Sequence, residues 1–179
     1  MRTPLKIVIT RVWVLIALTV SIAFADEEAE SNYYPYYEDR AAVVSAGLEA
    51  ARRENKLLML VLGADWCHDS RGFARTISQT DLQSIMSPRY HTVMMSVGYL
   101  DNLQSVMSQF GHPVYFGTPT VLIVEPHSRQ LLNRNSLAIW QSADSQPQEE
   151  YVNYFNQFTI SNADEFLLSD VPAPVLDRI

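Results

Sequence analysis

The chemistry of this chain concentrates at its single cysteine. Cys67 follows a short apolar run at residues 57–62 that Gly63 closes, and it precedes a segment with helical spacing. A cysteine at the start of a helix lies next to unpaired backbone N–H groups and the positive end of the helix dipole, which stabilise a thiolate. The thiolate is the nucleophile in disulfide exchange. The position of Cys67 therefore favours a reactive thiol over the alternative, an inert thiol buried in the core.

Other titratable residues offer weaker chemistry. His68, when protonated, would stabilise a thiolate at Cys67, whereas Asp65 and Asp69 would oppose it, so the sequence leaves this balance open. Neighbouring residues on a helix point in different directions, and no two of the four histidines show the spacing of metal ligands. We therefore expect no metal site and no cofactor. The chain also lacks a G-x-S-x-G segment, which argues against a serine hydrolase of the nucleophile-elbow type.

The elements that must position this cysteine alternate along the chain. Helical spacing predicts helices at residues 39–55, after Cys67, before Pro88, from residue 101 to Gly111, and after residue 145. Apolar runs predict strands at residues 57–62, 91–97 and 120–124, with residues 131–132 as a short antiparallel partner. Capping pairs are expected at Thr80 with Gln83, Asp101 with Gln104, and Ser145 with Gln148. The order predicts an α/β fold, a central mixed sheet with helices on both faces.

The composition describes an acidic protein with a substantial core. Of 179 residues, 47% are hydrophobic, which is too many for a disordered chain, and the net charge is −7. The first 25 residues carry three basic side chains and no acidic one, which leaves 10 basic against 20 acidic residues, a net −10, for the remainder. Because nucleic-acid binding depends on neutralising phosphates with Lys and Arg, we expect no nucleic-acid partner. One cysteine also excludes a disulfide scaffold within the chain.

The two ends of the chain differ from the domain between them. Residues 1–25 combine a basic start, an apolar run and an Ala-Phe-Ala sequence before Asp26, which predicts a secretory signal peptide cleaved after Ala25. The run is shorter than the roughly 20 apolar residues that span a bilayer, so we expect no stable membrane anchor after cleavage and a periplasmic or secreted protein. Residues 26–38 form an acidic lead-in whose tyrosines are expected to pack on the domain's own surface. Residues 39–160 form one domain, and residues 161–179 a tail.

One resemblance brings these features together. The segment Ala64-Asp65-Trp66-Cys67-His68-Asp69-Ser70 resembles the W-C-x-x-C active site of the thioredoxin-like superfamily with its second cysteine replaced by serine. Thr118-Pro119-Thr120 is similar to the cis-proline loop of the same superfamily, and the element order also matches over residues 39–158. The likeness is to periplasmic thioredoxin-like domains of thiol-disulfide interchange proteins. It implies a thioredoxin-like fold in which Cys67 attacks a disulfide and Trp66 lies beside it. Thr118 and Pro119, with Pro119 expected to be cis, would hold an extended substrate segment.

The chain departs from the pattern of that superfamily at two positions. Ser70 occupies the place of the resolving cysteine, so it can neither close a disulfide with Cys67 nor expel it from a mixed disulfide. Val61 stands six residues before Cys67, where thioredoxins commonly carry a buried carboxylate that serves the second cysteine. The two departures agree, because a buried acid would carry a desolvation cost without that service. They are typical of a site adapted to one cysteine. They fit equally well a site that no longer carries out redox chemistry.

Together with the predicted signal peptide, the resemblance implies an exported monothiol protein, a thiol-disulfide oxidoreductase or isomerase that works through Cys67. Its partners would be protein thiols and disulfides or extended peptide segments. An external thiol, or the second cysteine of the substrate, would resolve the mixed disulfide. The alternative is a redox-silent binding module that keeps the groove beside Thr118 and Pro119 for a peptide or protein partner.

Overall fold

A computed structural model describes residues 32–111, 115 and 117–167 of the chain. Helices in this part are α1 (Arg40–Glu54), α2 (His68–Ile77), α3 (Thr80–Met86), α4 (Gln104–Met107) and α5 (Gln148–Phe155). The strands are β1 (Leu57–Gly63), β2 (Tyr90–Ser96) and β3 (Thr120–Val124). Short 3₁₀ helices lie at Ser108–Phe110, Arg134–Ser136, Ile139–Ser145 and Ile160–Glu165. The predicted signal peptide and the last twelve residues of the predicted tail lie outside the described residues.

The three strands form one mixed sheet in the order β2, β1, β3. β1 runs parallel to β2, with Gly63 opposite Ser96, and antiparallel to β3, with Leu62 opposite Thr120. Every residue of β1 is buried, as a continuous apolar run in a central strand requires. The predicted fourth strand is reduced to a single bridge between Val124 and Leu131. The prediction of a mixed sheet is confirmed.

Alternate side chains of β1 enter two separate hydrophobic cores, as the two-residue period of a strand dictates. Leu57, Met59 and Val61 pack with residues of α2, α3, α5 and the 3₁₀ helix Ile139–Ser145. Among these residues is a cluster of rings from Phe73, Trp140, Tyr151 and Phe155. Leu58, Leu60 and Leu62 pack with residues of α1 and α4, including Val44, Leu48, Val106 and Met107. Helices therefore cover both faces of the sheet, which confirms the predicted fold class.

The predicted caps of three helices are wrong. α3 begins at Thr80 with Gln79 at the N-cap, because only two residues separate it from α2. At α4 the side chain of Asn102 accepts from the N–H of Gln104, since the carboxylate of Asp101 pairs with Arg40 instead. α5 begins only at Gln148, because the residue before Pro147 is extended, as a residue before proline prefers.

The packed structure continues beyond α5. Ala163, in the 3₁₀ helix Ile160–Glu165, is buried, and the ring of Phe166 lies against the ring of Phe158. None of the helices in the described part of the chain combines the length and the apolar character needed to cross a bilayer.

Candidate active site

Cys67 lies at the end of the sheet where the central strand gives way to a helix. It is the N-cap residue of α2, with an extended backbone, and its carbonyl accepts the first helical hydrogen bond from the N–H of Arg71 at 3.0 Å. Its N–H donates to the carbonyl of Ala64 at 3.1 Å, which closes the turn that leaves β1. The side chain is neither fully buried nor fully exposed. Cys67 is therefore only partly covered by the rest of the described chain.

The loop before β3 lies directly beside this thiol. Because β3 runs antiparallel to β1, the start of β3 is at the same end of the sheet as the end of β1. The Cys67 thiol donates to the carbonyl of Thr118 at 3.5 Å. The peptide bond between Thr118 and Pro119 is cis, and the Thr120 hydroxyl donates to the Gly117 carbonyl at 2.7 Å, which fixes the turn. The two motifs, 51 residues apart in sequence, thus meet in space.

The surroundings of the thiol favour its ionised form. Partial burial of the sulfur opposes ionisation, but hydrogen bonds from the Thr118 side chain and from the backbone and hydroxyl of Ser70 outweigh this effect. The backbone N–H of Asp69 adds to them, so the pKa of Cys67 lies below that of an ordinary thiol. The Asp69 and Ser70 donors sit at the first turn of α2, where backbone N–H groups have no partner within the helix, whereas Thr118 lies in the loop before β3.

The charged neighbours of Cys67 are engaged with other groups. The Asp65 carboxylate accepts from the N–H groups of Tyr33 and Tyr34. Asp69 accepts from the N–H of Asp144 at 3.0 Å and lies 3.1 Å from the exposed imidazole of His68. Within the described residues, no three His, Cys, Asp or Glu side chains come together as a metal-binding group.

Ser70 lies one helical turn after Cys67, in the place of a second cysteine. Its side chain is fully buried, and its hydroxyl has no hydrogen-bond partner within the protein other than its approach to the Cys67 sulfur. An unpaired buried hydroxyl is unfavourable, so this group is available to donate to a thiolate. It cannot act as a second sulfur.

Val61 occupies the position of the carboxylate that thioredoxins commonly carry. Its side chain is fully buried in the core that α2 covers, and its partner across the sheet is Val121. This part of the site is therefore hydrophobic on both strands, and neither residue can accept a proton.

Trp66 is exposed rather than packed in the core. Its side chain is 48% exposed, its ring nitrogen donates to the Gly98 carbonyl at 2.7 Å, and its ring is parallel to that of Tyr99. Gly98 follows the end of β2, so three chain segments meet at this edge of the sheet. Sequence reasoning identified Trp66 but missed Tyr99, because Tyr99 lies in a turn without periodicity.

Tyr34, in the predicted lead-in, contacts residues on both sides of Cys67 in the chain. Its ring is buried against Gly63, where an added Cβ would come within 2.2 Å of a ring carbon. Its hydroxyl donates to the Ser70 carbonyl at 2.8 Å, while its N–H reaches Asp65. The Pro35 carbonyl accepts from the N–H of Ser96 at the end of β2. The tyrosine-rich composition marked this segment, but nothing in it indicated which tyrosine reaches the site.

Comparisons with known proteins agree with this architecture. Residues 40–126 match a family model described as thioredoxin-like. The chain is similar to the crystal structure of a disulphide isomerase from Xylella fastidiosa Temecula1, with a TM-score of 0.62 and 22% sequence identity. That similarity covers 71% of this chain and 98% of the other, and at this identity it shows the fold. The search of curated proteins gave no match. The chain therefore has a thioredoxin-like fold, with its one cysteine at the end of the sheet that the Thr118–Pro119 turn also occupies.

Proposed function

We propose that this protein carries out monothiol thiol-disulfide exchange on protein substrates or extended peptide segments through Cys67. The observation that carries the proposal is the placement of a partly exposed thiol 3.5 Å from the Thr118 carbonyl, beside donors that lower its pKa. A thiolate that solvent can reach is the reactive form in exchange.

The first step is an attack of the Cys67 thiolate on one sulfur of a substrate disulfide. A bond forms between Cys67 and that sulfur while the substrate S–S bond breaks, and the leaving sulfur departs as a thiolate that takes a proton from water. In the second step, a thiolate of an external thiol or of the substrate's own second cysteine attacks the mixed disulfide. Cys67 leaves as a thiolate, so the protein returns to its starting state.

The serine at position 70 determines whether the exchange reaction favours isomerisation or net reduction. Since no second sulfur lies one turn after Cys67, the mixed disulfide persists until another thiol reaches it. When that thiol is a further cysteine of the substrate, a new substrate disulfide replaces the old one and no net oxidation or reduction occurs, which is isomerisation. The similar solved structure bears the name of a disulphide isomerase, which supports this choice over net reduction.

The proposal includes export of the protein. Residues 1–25 would be removed after Ala25, which would place Cys67 in an oxidising compartment where disulfides persist.

The test is to trap the mixed disulfide. Purified reduced protein, incubated with a small disulfide, should gain one covalent adduct on Cys67, and Cys67→Ala should gain none. Expressed with its full N-terminus and exposed to exported proteins, it should form complexes that reducing agent releases. Intact-mass spectrometry of the released chain should show a start at Asp26.

Three results would contradict these expectations. A native thiol that neither reacts with small disulfides nor becomes alkylated would refute exchange chemistry. If Cys67→Ala still captures the same partners without a covalent bond, the protein is a binding module. A chain that retains Met1 would refute export by cleavage.

A further inference from the structure

The two edges of the sheet are finished differently. The outer side of β3 is covered, because the Asn133 side chain binds the backbone of both Val121 and Ile123. β2 forms the other edge. Within the described residues, its outer side makes one backbone hydrogen bond, from the N–H of Ser96 to the Pro35 carbonyl at 2.9 Å. The remainder of the β2 edge is therefore open.

The alternation of the backbone along β2 identifies the groups that are left open. The N–H of Val97 donates to the Gly63 carbonyl of β1, whereas the N–H of Ser96 points outward to Pro35. Because successive backbone groups of a strand point to opposite sides, those of every second residue before Ser96 also point outward. These residues are Tyr90, Thr92 and Met94. No other group of the described chain forms a hydrogen bond with their outward N–H and carbonyl groups.

This edge lacks the features that usually keep an edge strand from pairing. Those features are proline, charged side chains and bulges. The three outward-facing residues are uncharged and none is proline, and the pairing of β2 with β1 runs without a bulge from Tyr90 to Ser96. Thr92, the middle one of the three, is exposed. The edge can therefore pair with a strand of another chain.

A groove beside the edge has room for such a chain. It has a volume of about 540 Å³ and lies between β2 and the face of α1 that carries Ala46, Gly47 and Ala50, with Arg53 near the end of the helix. Small side chains on this face allow another helix to approach closely. Gly47 is level with the middle of β2, since a Cβ there would meet the Val93 side chain at 2.9 Å.

The charges along α1 favour a second copy of this chain as the occupant. Arg53 lies six residues after Gly47, is exposed, and has no partner in the part of the chain that the structure describes. Glu38 and Asp39 lie nine and eight residues before Gly47 and are also exposed. A two-fold axis beside Gly47 would place two α1 helices antiparallel, with Arg53 of each copy near the two carboxylates of the other. The surface is thus complementary to itself, as a two-fold interface requires.

We propose that two copies of this chain associate through the outer edge of β2, with the two strands antiparallel about a two-fold axis at Thr92. Thr92 of one copy then faces Thr92 of the other and Tyr90 faces Met94, so all the outward-facing residues are paired. The two three-stranded sheets become one continuous sheet. Because the rotation reverses the direction of the strands, the two Cys67 thiols lie at opposite ends of the joined sheet, and neither links the copies.

The first test is sedimentation velocity of the purified chain with its thiol kept reduced. The mass should rise with concentration from that of one chain to that of two. Thr92→Pro, shown to be folded by circular dichroism, should keep the mass of one chain, because proline removes an outward N–H that a single copy leaves unused. Thr92→Ala keeps this N–H and should associate like the unaltered protein. Cys67→Ala should also associate, since the interface does not use the thiol.

A cross-link tests the register independently of the proline variant. In the Cys67→Ala background, Thr92→Cys should form a disulfide between copies under mild oxidation, because opposite residues of a hydrogen-bonded antiparallel pair have Cα atoms about 5.5 Å apart. Met94→Cys is the control and should form none, since its counterpart would lie four residues along the strand, roughly 14 Å away. Arg53→Glu should weaken association, and adding Glu38→Arg should restore it.

The proposal requires both association in solution and the cross-link at Thr92. A mass of one chain at every concentration would overturn it and would leave the exchange function untouched. Association that a folded Thr92→Pro retains would show that the copies meet through another surface. Absence of the Thr92→Cys cross-link, or an equal cross-link at Met94→Cys, would likewise overturn the proposed pairing.

Discussion

Ser70 is the residue at which this site differs most from a dithiol site. Its hydroxyl is fully buried and lacks a partner within the protein apart from the Cys67 sulfur. A hydroxyl in this position stabilises the thiolate as a hydrogen-bond donor, and hydrogen bonds to charged groups are stronger than those between neutral groups. Ser70 therefore keeps a hydrogen-bond donor beside Cys67, but it cannot resolve a mixed disulfide within the chain.

Ser70→Ala should raise the pKa of Cys67, because it removes one donor that holds that pKa down. Since alkylation by iodoacetamide follows the thiolate fraction, its pH profile should move to higher pH, and alkylation at mildly acidic pH should slow several-fold. The free energy of unfolding should not fall, because the substitution removes a buried hydroxyl without a protein partner. An unchanged profile would mean that Ser70 only fills space. Ser70→Cys serves as the geometric check, since positions three apart on a helix are close enough for a disulfide with Cys67.

At the scale of elements, the helices and strands that were predicted well are those marked by a pattern of neighbouring apolar residues. The continuous apolar run of β1 and the helical spacing of the apolar residues in α1 are both local signals, and both elements form within one residue of the predicted bounds. The predicted cap of α4 was wrong because Asp101 pairs with Arg40, which is distant in the chain, instead of capping the helix. Tyr34 and Tyr99 were missed as site residues for the same reason, since their partners lie 36 and 33 positions away in the chain.

The edge of β3 shows how an irregular segment can complete a sheet. Asn133 is buried, its side-chain oxygen accepts from the N–H of Ile123, and its side-chain nitrogen donates to the Val121 carbonyl and the Tyr154 hydroxyl. An amide side chain thus takes the place of a neighbouring strand. Since β3 begins directly after Pro119, this residue also stabilises the strand that carries the second half of the site.

Asn133→Ala should lower the free energy of unfolding by roughly 2–4 kcal/mol, because it leaves the buried Ile123 N–H and Val121 carbonyl without partners. Urea denaturation measures the change. Asn135→Ala, two residues on and exposed, is the matched control and should stay within about 0.5 kcal/mol of the unaltered protein. Equal effects of the two substitutions would show that Asn133 does not stabilise the edge of β3.

At the scale of the whole molecule, the directions of the three strands bring the turns of the candidate site to one edge of the sheet. β1 and β2 are parallel and end at the same edge, and antiparallel β3 begins there, so the turns carrying Cys67, Tyr99 and Pro119 meet. The segment around Tyr34 packs against this edge and binds the cysteine turn on both sides, at Asp65 and at Ser70. This segment precedes residue 40, where the match to the family model begins. The candidate site thus uses residues outside the matched range.

Tyr34→Phe tests whether this segment positions the thiolate. The ring stays buried against Gly63, and only the hydroxyl that donates to the Ser70 carbonyl is lost. With that anchor gone, the first turn of α2 holds its donors less firmly, so the pKa of Cys67 should rise and the alkylation profile should move to higher pH. Stability should fall by roughly 0.5–1.5 kcal/mol, because one buried hydrogen bond is lost.

Tyr90→Phe is the control that separates positioning from stability. The Tyr90 hydroxyl is also buried and donates to the Phe155 carbonyl at 2.7 Å, but it belongs to the first residue of β2, at the opposite end of the sheet from Cys67. It should therefore cost a similar free energy of unfolding and leave the alkylation profile of Cys67 in place. If both variants shift the profile equally, or if Tyr34→Phe lowers stability without moving it, Tyr34 supports the fold and does not position the thiolate.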